Sequence, residues 1–146
     1  MFPHSVYVPY CSSDVYTGTR NASELTQNFY FHGHHIFTAL LEDLISQTSI
    51  AQAEQVVLMG GSAGAIGTEA NCDYFAEELH KHNQHIEVKC ISDSGSLYPY
   101  HTHTQLCSPH LLEFACFEIW KSISDQSCMQ QNPIGFNCIR SQQTGG

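Results

Sequence analysis

The sequence predicts an α/β fold with a parallel sheet flanked by helices, and three observations predict it. The run Gln55-Val56-Val57-Leu58-Met59 is apolar without alternation, which suits a parallel strand buried on both faces. Around it, apolar residues recur at helical spacing: Phe37, Leu40, Leu41, Leu44 and Ile45 before, Ile66, Ala70, Tyr74 and Leu79 after. Ile86-Glu87-Val88-Lys89-Cys90-Ile91 then reads as a second strand. Helix, strand, helix, strand is the order that builds a parallel sheet.

The other elements follow in chain order. Ser5-Val6-Tyr7-Val8-Pro9-Tyr10 mixes β-branched and aromatic residues in alternation and predicts a strand. Gly18, Thr19, Arg20 and Asn21 form a polar loop, and Phe29-Tyr30-Phe31 predicts a second short strand. The first helix begins at Gly33, and the second reaches His80. Ser108-Pro109 has the form of an N-cap and a first-turn proline, opening a helix that carries Leu111, Leu112, Ala115 and Ile119. Residues 122–146 are polar and predict no closing element. The 146 residues have room for one domain.

Composition narrows the function. Fourteen acidic residues against five Lys and Arg give a net charge of −9, so the clustered cations that hold a nucleic-acid backbone are missing. No stretch reaches the roughly 20 apolar residues that cross a bilayer as a helix. Seven cysteines lack the CxxC pairing of zinc sites, which points to disulfides and an oxidising compartment. Asn21-Ala22-Ser23 is an N-glycosylation sequon. Met1-Phe2-Pro3-His4 starts no signal-peptide pattern, so the reading places an export signal upstream of Met1.

Chemistry concentrates at Gly60-Gly61-Ser62-Ala63-Gly64, between the unbroken apolar strand and the second helix. Gly60-x-Ser62-x-Gly64 has the spacing of a nucleophile elbow. A serine on so tight a turn takes strained angles, and glycines two residues to either side are expected to relieve the collisions. The elbow raises the Ser62 hydroxyl at the positive end of the following helix. The Ala63 N–H is then an oxyanion donor, a type of contact worth about 3 kcal/mol in the transition state.

A plain glycine-rich connection is the rival reading; a phosphate loop is weaker, because no lysine follows the glycines. Asp93, Asp125, His101, His103 and His110 lie downstream as acid or base candidates, each with an ordinary surface role as the alternative. His32, His34 and His35 cluster, as do His80, His82 and His85, yet no HExxH occurs and these stretches are hydrophilic. The reading assigns no metal and no cofactor.

Several ordered motifs carry a resemblance. Pro9-Tyr10-Cys11-Ser12-Ser13-Asp14-Val15-Tyr16-Thr17-Gly18, Phe31-His32-Gly33 and Gly61-Ser62-Ala63-Gly64 are similar to segments of Notum-type carboxylesterases. Asn71-Cys72-Asp73-Tyr74-Phe75 and Val88-Lys89-Cys90-Ile91-Ser92-Asp93-Ser94-Gly95 resemble the plant pectin acetylesterase branch. The match is good from Val6 to Gly95 and loose to Cys138.

The resemblance implies an α/β-hydrolase fold, incomplete in this chain, in a secreted serine esterase. Ser62 becomes the nucleophile, and the substrate an acetylated polysaccharide or an acylated protein. It further implies that the catalytic aspartate and histidine fall beyond Gly146, that the glycine-rich oxyanion segment precedes Met1, and that Asp93 is not the catalytic acid. Disulfides are implied for Cys72–Cys90 and Cys128–Cys138, with Cys11 paired upstream and Cys107 and Cys116 unassigned.

Residues 1–146 thus read as part of one hydrolase domain, too short to catalyse alone and prone to aggregate through open strand edges. Two other readings stand beside it. One is a pseudoenzyme or binding module on the same scaffold, the other a histidine-based metal binder.

Overall fold

A computed structural model describes residues 4–95 and 118–123. Its elements run α1 (Gly33–Gln47), a short 3-10 turn (Ile50–Gln52), β1 (Gln55–Gly61), α2 (Ala63–His82) and β2 (Glu87–Asp93). The strands pair in parallel, Gln55 opposite Glu87 and Gly61 opposite Asp93. The fold is therefore α/β, as the sequence predicts. The predicted helix opened by Ser108-Pro109 lies outside the described residues, apart from its end.

Both helices cover one face of the sheet. Phe37 and Leu41 of α1 meet Phe75 and Leu79 of α2 and Ile86 in one buried cluster, with Val56, Leu58 and Val88 packed against it. These residues sit on successive turns of each helix and on alternate positions of each strand, so one side of every element is apolar. Burying this cluster stabilises the fold by about 25 cal/mol per Å² of apolar area removed from water. The Cys72–Cys90 disulfide adds a covalent link between α2 and β2.

Burial of β1 on both faces is not observed. Exposure alternates along the strand, and Val57 and Met59 are 46% and 63% exposed. The reason is geometric: α1 and α2 share the inner face, and no described element covers the outer one.

Two predicted strands also resolve differently. Residues 5–10 form no strand; their hydrogen bonds go to side chains instead of a ladder. The Tyr16 hydroxyl donates to the Val8 carbonyl (3.2 Å), the Tyr10 hydroxyl accepts from the Val15 amide (2.8 Å), and the two tyrosine rings lie 4.9 Å apart. Of Phe29–Phe31, only Phe31 pairs, in an isolated antiparallel bridge to Arg20.

A polar core lies beside the apolar one. Asp14, Thr17, Thr26, Thr68 and Asn71 are buried. The Asp14 carboxylate accepts from the Gly33 amide at 2.7 Å, from the Tyr16 amide at 3.2 Å and from the Ser12 hydroxyl. Gly33 is the first residue of α1, so Asp14 satisfies an amide that no helical carbonyl can reach and places its charge at the positive helix end. Asn71 Nδ2 donates to the carbonyls of Tyr16 (3.0 Å) and Gly67 (2.8 Å), and His34 Nδ1–H donates to Asn71 Oδ1 (2.8 Å). Loop 12–17 is thereby fixed to both helices despite positive φ at Ser13, Val15 and Tyr16. For the β-branched Val15 that backbone is costly and persists only because its surroundings impose it.

Candidate active site

Ser62 stands alone between β1, which ends at Gly61, and α2, which starts at Ala63. A one-residue turn from strand to helix leaves few backbone solutions. Ser62 adopts φ 53°, ψ −117°, a conformation that L-residues rarely take. Its amide donates to the Asp93 carbonyl (2.9 Å), and its own carbonyl accepts from Ala65 (3.0 Å) and Ile66 (3.3 Å). The residue therefore finishes the strand pairing and begins the helix at once. Its side chain is exposed and makes no capping hydrogen bond.

The glycines divide their roles unequally. A Cβ on Gly60 would lie 2.1 Å from the Gly64 carbonyl oxygen and 2.8 Å from Thr68 Oγ1, so the end of β1 passes too close to α2 for any side chain. A Cβ on Gly64 would meet nothing within 4 Å among the described residues. The expected steric need is thus met at Gly60 and absent at Gly64. Gly61 is also permissive, its nearest contact being the Asp93 carbonyl at 3.8 Å.

Ala63 opens α2, where the first amides have no intrahelical acceptor and carry a partial positive charge of about half a unit. Ser62 precedes that end of the helix directly. Beyond β2, a Cβ on Gly95 would come 2.4 Å from Ala65 Cβ, so the chain leaving the sheet crosses the first turn of α2. The Asp93 carboxylate accepts from the Ser94 hydroxyl (2.9 Å), and Ser92 donates to Glu69.

The Asp14–Asn71 network is a structural unit that sequence reasoning misses. Asp14, Gly33 and Asn71 lie in three of the motifs that carry the resemblance, yet nothing in their spacing says that they meet. Several histidines prove to be tied to nearby polar groups: His32 Nε2–H donates to Asn21 Oδ1 (2.9 Å), and His80 Nε2–H to the Ile86 carbonyl (3.0 Å). Cys11 is exposed and unpaired among the described residues. His101, His103, His110, Asp125, Cys107, Cys116 and the expected Cys128–Cys138 bridge lie outside the described residues.

A strand, a strained serine and a helix follow one another without a gap, and comparison with known proteins shows the family in which this arrangement occurs here. The family model for Pectinacetylesterase matches residues 4–144, and the chain belongs to that family. It is 33% identical over 111 residues to palmitoleoyl-protein carboxylesterase NOTUM of Schmidtea mediterranea, covering 75% of this chain and 21% of that protein. Pectin acetylesterase 11 of Arabidopsis thaliana is 33% identical over 90 residues, covering 62% and 22%. The palmitoleoyl-protein carboxylesterase NOTUM of Homo sapiens is 30% identical over 144 residues, covering 92% and 29%. The chain thus spans between about a fifth and a third of the length of these relatives.

Proposed function

We propose that this chain carries the nucleophile of a secreted carboxylic ester hydrolase, and that the nucleophile is Ser62. The observation that supports this most is the Ser62 backbone: a positive φ at a non-glycine residue, exposed, between a strand with one buried face and a helix N-terminus. A positive φ at a non-glycine residue costs about 1–3 kcal/mol and persists only where the surroundings impose it, and such strain gathers at functional sites. Membership of a family whose relatives include named esterases supports the chemistry.

In this reading Ser62 Oγ attacks the ester carbonyl carbon while a general base takes its proton. The carbonyl oxygen becomes negative and is received by the Ala63 amide at the head of α2. Collapse expels the alcohol, which leaves with a proton, and water then cleaves the acyl-enzyme. In this reading the base and its orienting carboxylate lie outside the described residues. The acyl group is an acetyl on a pectin-like polysaccharide or a fatty acyl on a protein, the two substrate kinds in the relatives' names. Secretion is supported by the Cys72–Cys90 disulfide.

Hydrolysis of 4-nitrophenyl acetate by the full-length protein, wild type against Ser62→Ala, tests the proposal. Loss of a nucleophile of this class costs roughly 10⁴-fold to 10⁶-fold in kcat. A variant that retains the wild-type rate overturns the assignment and favours a binding role for the scaffold.

A further inference from the structure

The loop closed by the Arg20–Phe31 bridge is ordered from within. The Arg20 and Phe31 amides exchange hydrogen bonds with each other's carbonyls at 2.9 and 3.0 Å. Inside the loop the Ser23 amide donates to Thr26 Oγ1 (2.9 Å), the Asn28 amide donates to the Ser23 carbonyl (2.8 Å), and Thr26 is buried. Asn21 stands exposed at the start of this loop, next to the bridge, and begins the sequon Asn21-Ala22-Ser23.

The Asn21 side chain is held by one of its two ends. His32 Nε2–H donates to Oδ1 at 2.9 Å, which leaves Nδ2 for substitution. Glycosylation replaces one Nδ2 hydrogen and keeps Oδ1 an acceptor, so the His32 bond survives it. The same imidazole is packed edge-on against Tyr30, with ring centroids 5.2 Å apart, and Tyr30 is 65% exposed. Phe29, also 65% exposed, and Leu25 belong to the same loop. Several large apolar side chains exposed in one short loop call for something that covers them. A pyranose ring, with its face of C–H groups, suits an aromatic surface, and a sugar on Asn21 starts one side chain away from the His32–Tyr30 pair.

We propose that Asn21 is an N-glycosylation site and that its first sugar packs on the exposed ring of Tyr30, beside the half-buried ring of His32. In the reaction, Nδ2 forms a bond to the anomeric carbon of a lipid-pyrophosphate-linked oligosaccharide. The bond from that carbon to the pyrophosphate oxygen breaks, the lipid pyrophosphate leaves with the electron pair, and the Nδ2 proton is released. The Cys72–Cys90 disulfide points to the same oxidising route through the cell in which such a donor acts. The proposal is independent of the role of Ser62.

The test is peptide mass spectrometry of the full-length protein made in a eukaryotic secretory host. Wild type is expected to show hexosamine-bearing glycan on the peptide containing Asn21, Ser23→Ala none, and Ser23→Thr at least wild-type occupancy. Recovery of that peptide wholly unmodified from wild type overturns the site. Packing is tested by a double-mutant cycle of Ser23→Ala and Tyr30→Ser in the same host. The glycan is expected to raise the melting temperature only when Tyr30 is present. An equal shift in the Tyr30→Ser background overturns the stacking contact.

Discussion

The Ser62 amide donates to the Asp93 carbonyl at 2.9 Å, so the end of β2 holds the turn on which the proposed nucleophile stands. That bond closes the parallel ladder at its last pair, Gly61 and Asp93. It gives the amide its partner and leaves the exposed Ser62 side chain without a capping hydrogen bond. Sheet pairing and site geometry are one arrangement.

Replacing Ser62 by glycine separates strain from chemistry. Glycine adopts positive φ without steric cost, so Ser62→Gly is expected to stabilise the full-length protein by about 1 kcal/mol. Ester hydrolysis falls to background in the same variant. Denaturant melts and a chromogenic ester assay on one preparation check both halves.

The two elbow glycines respond oppositely to a methyl group. Gly60→Ala drives Cβ into the Gly64 carbonyl, 2.1 Å away, and is expected to cost roughly 3 kcal/mol or more along with activity. Gly64→Ala meets nothing within 4 Å and replaces a helical glycine, so it is neutral or stabilising by up to about 1 kcal/mol. Chemical denaturation of the pair reads the difference.

Asp14→Ala strands the Gly33 and Tyr16 amides inside the protein. The expected loss is about 2–4 kcal/mol. Asp14→Asn keeps the shape but turns one acceptor into a donor facing an amide, so it rescues only part of the loss. Hydrogen exchange at Gly33 and Tyr16 reports whether loop 12–17 has come free.

The Cys72–Cys90 bridge closes a loop with a separation of 18 residues, worth about 3 kcal/mol by chain entropy. Cys72→Ser with Cys90→Ser is expected to lower stability by that order and to abolish the sensitivity of the melt to reductant. Unchanged reductant sensitivity would place the stabilising bridge elsewhere.

Alkaline pH weakens the loop held by Tyr10. Burial, above all, raises the Tyr10 pKa above its ordinary 10.0; the Val15 amide lowers it and the nearby Asp14 charge raises it. The folded state therefore resists ionisation that the unfolded chain accepts. Any stability from this group is intact below pH 10 and is lost as pH rises past 10 through the folded value. Tyr10→Phe is expected to flatten that loss in melts taken between about pH 9 and 11.

Elements with strong periodicity are legible in the sequence. The α1 and α2 stripes and the β1 run predict three elements within a few residues, because burial of one helix face or one apolar run leaves a pattern. The strand-to-helix turn at Ser62 is legible because a short turn of this kind admits few residue types. Segment 5–10 misleads because Tyr10 and Val8 find partners in Val15 and Tyr16, and an alternating pattern does not say whether the partner is a strand. The need for glycine at Gly60 and not Gly64 is invisible, since it depends on how closely β1 passes α2. The Asp14–Asn71 network is equally hidden: its contacts cross up to 55 residues of sequence.

Ser62 as an acyl-accepting nucleophile is tested most directly by treating the full-length protein with a fluorophosphonate and mapping the adduct by peptide mass spectrometry. The predicted result is a stoichiometric phosphonyl adduct on Ser62, absent after prior unfolding and absent in Ser62→Ala. An unlabelled Ser62 in protein that is hydrolysing ester, or an adduct on another serine that tracks with loss of activity, would contradict the account.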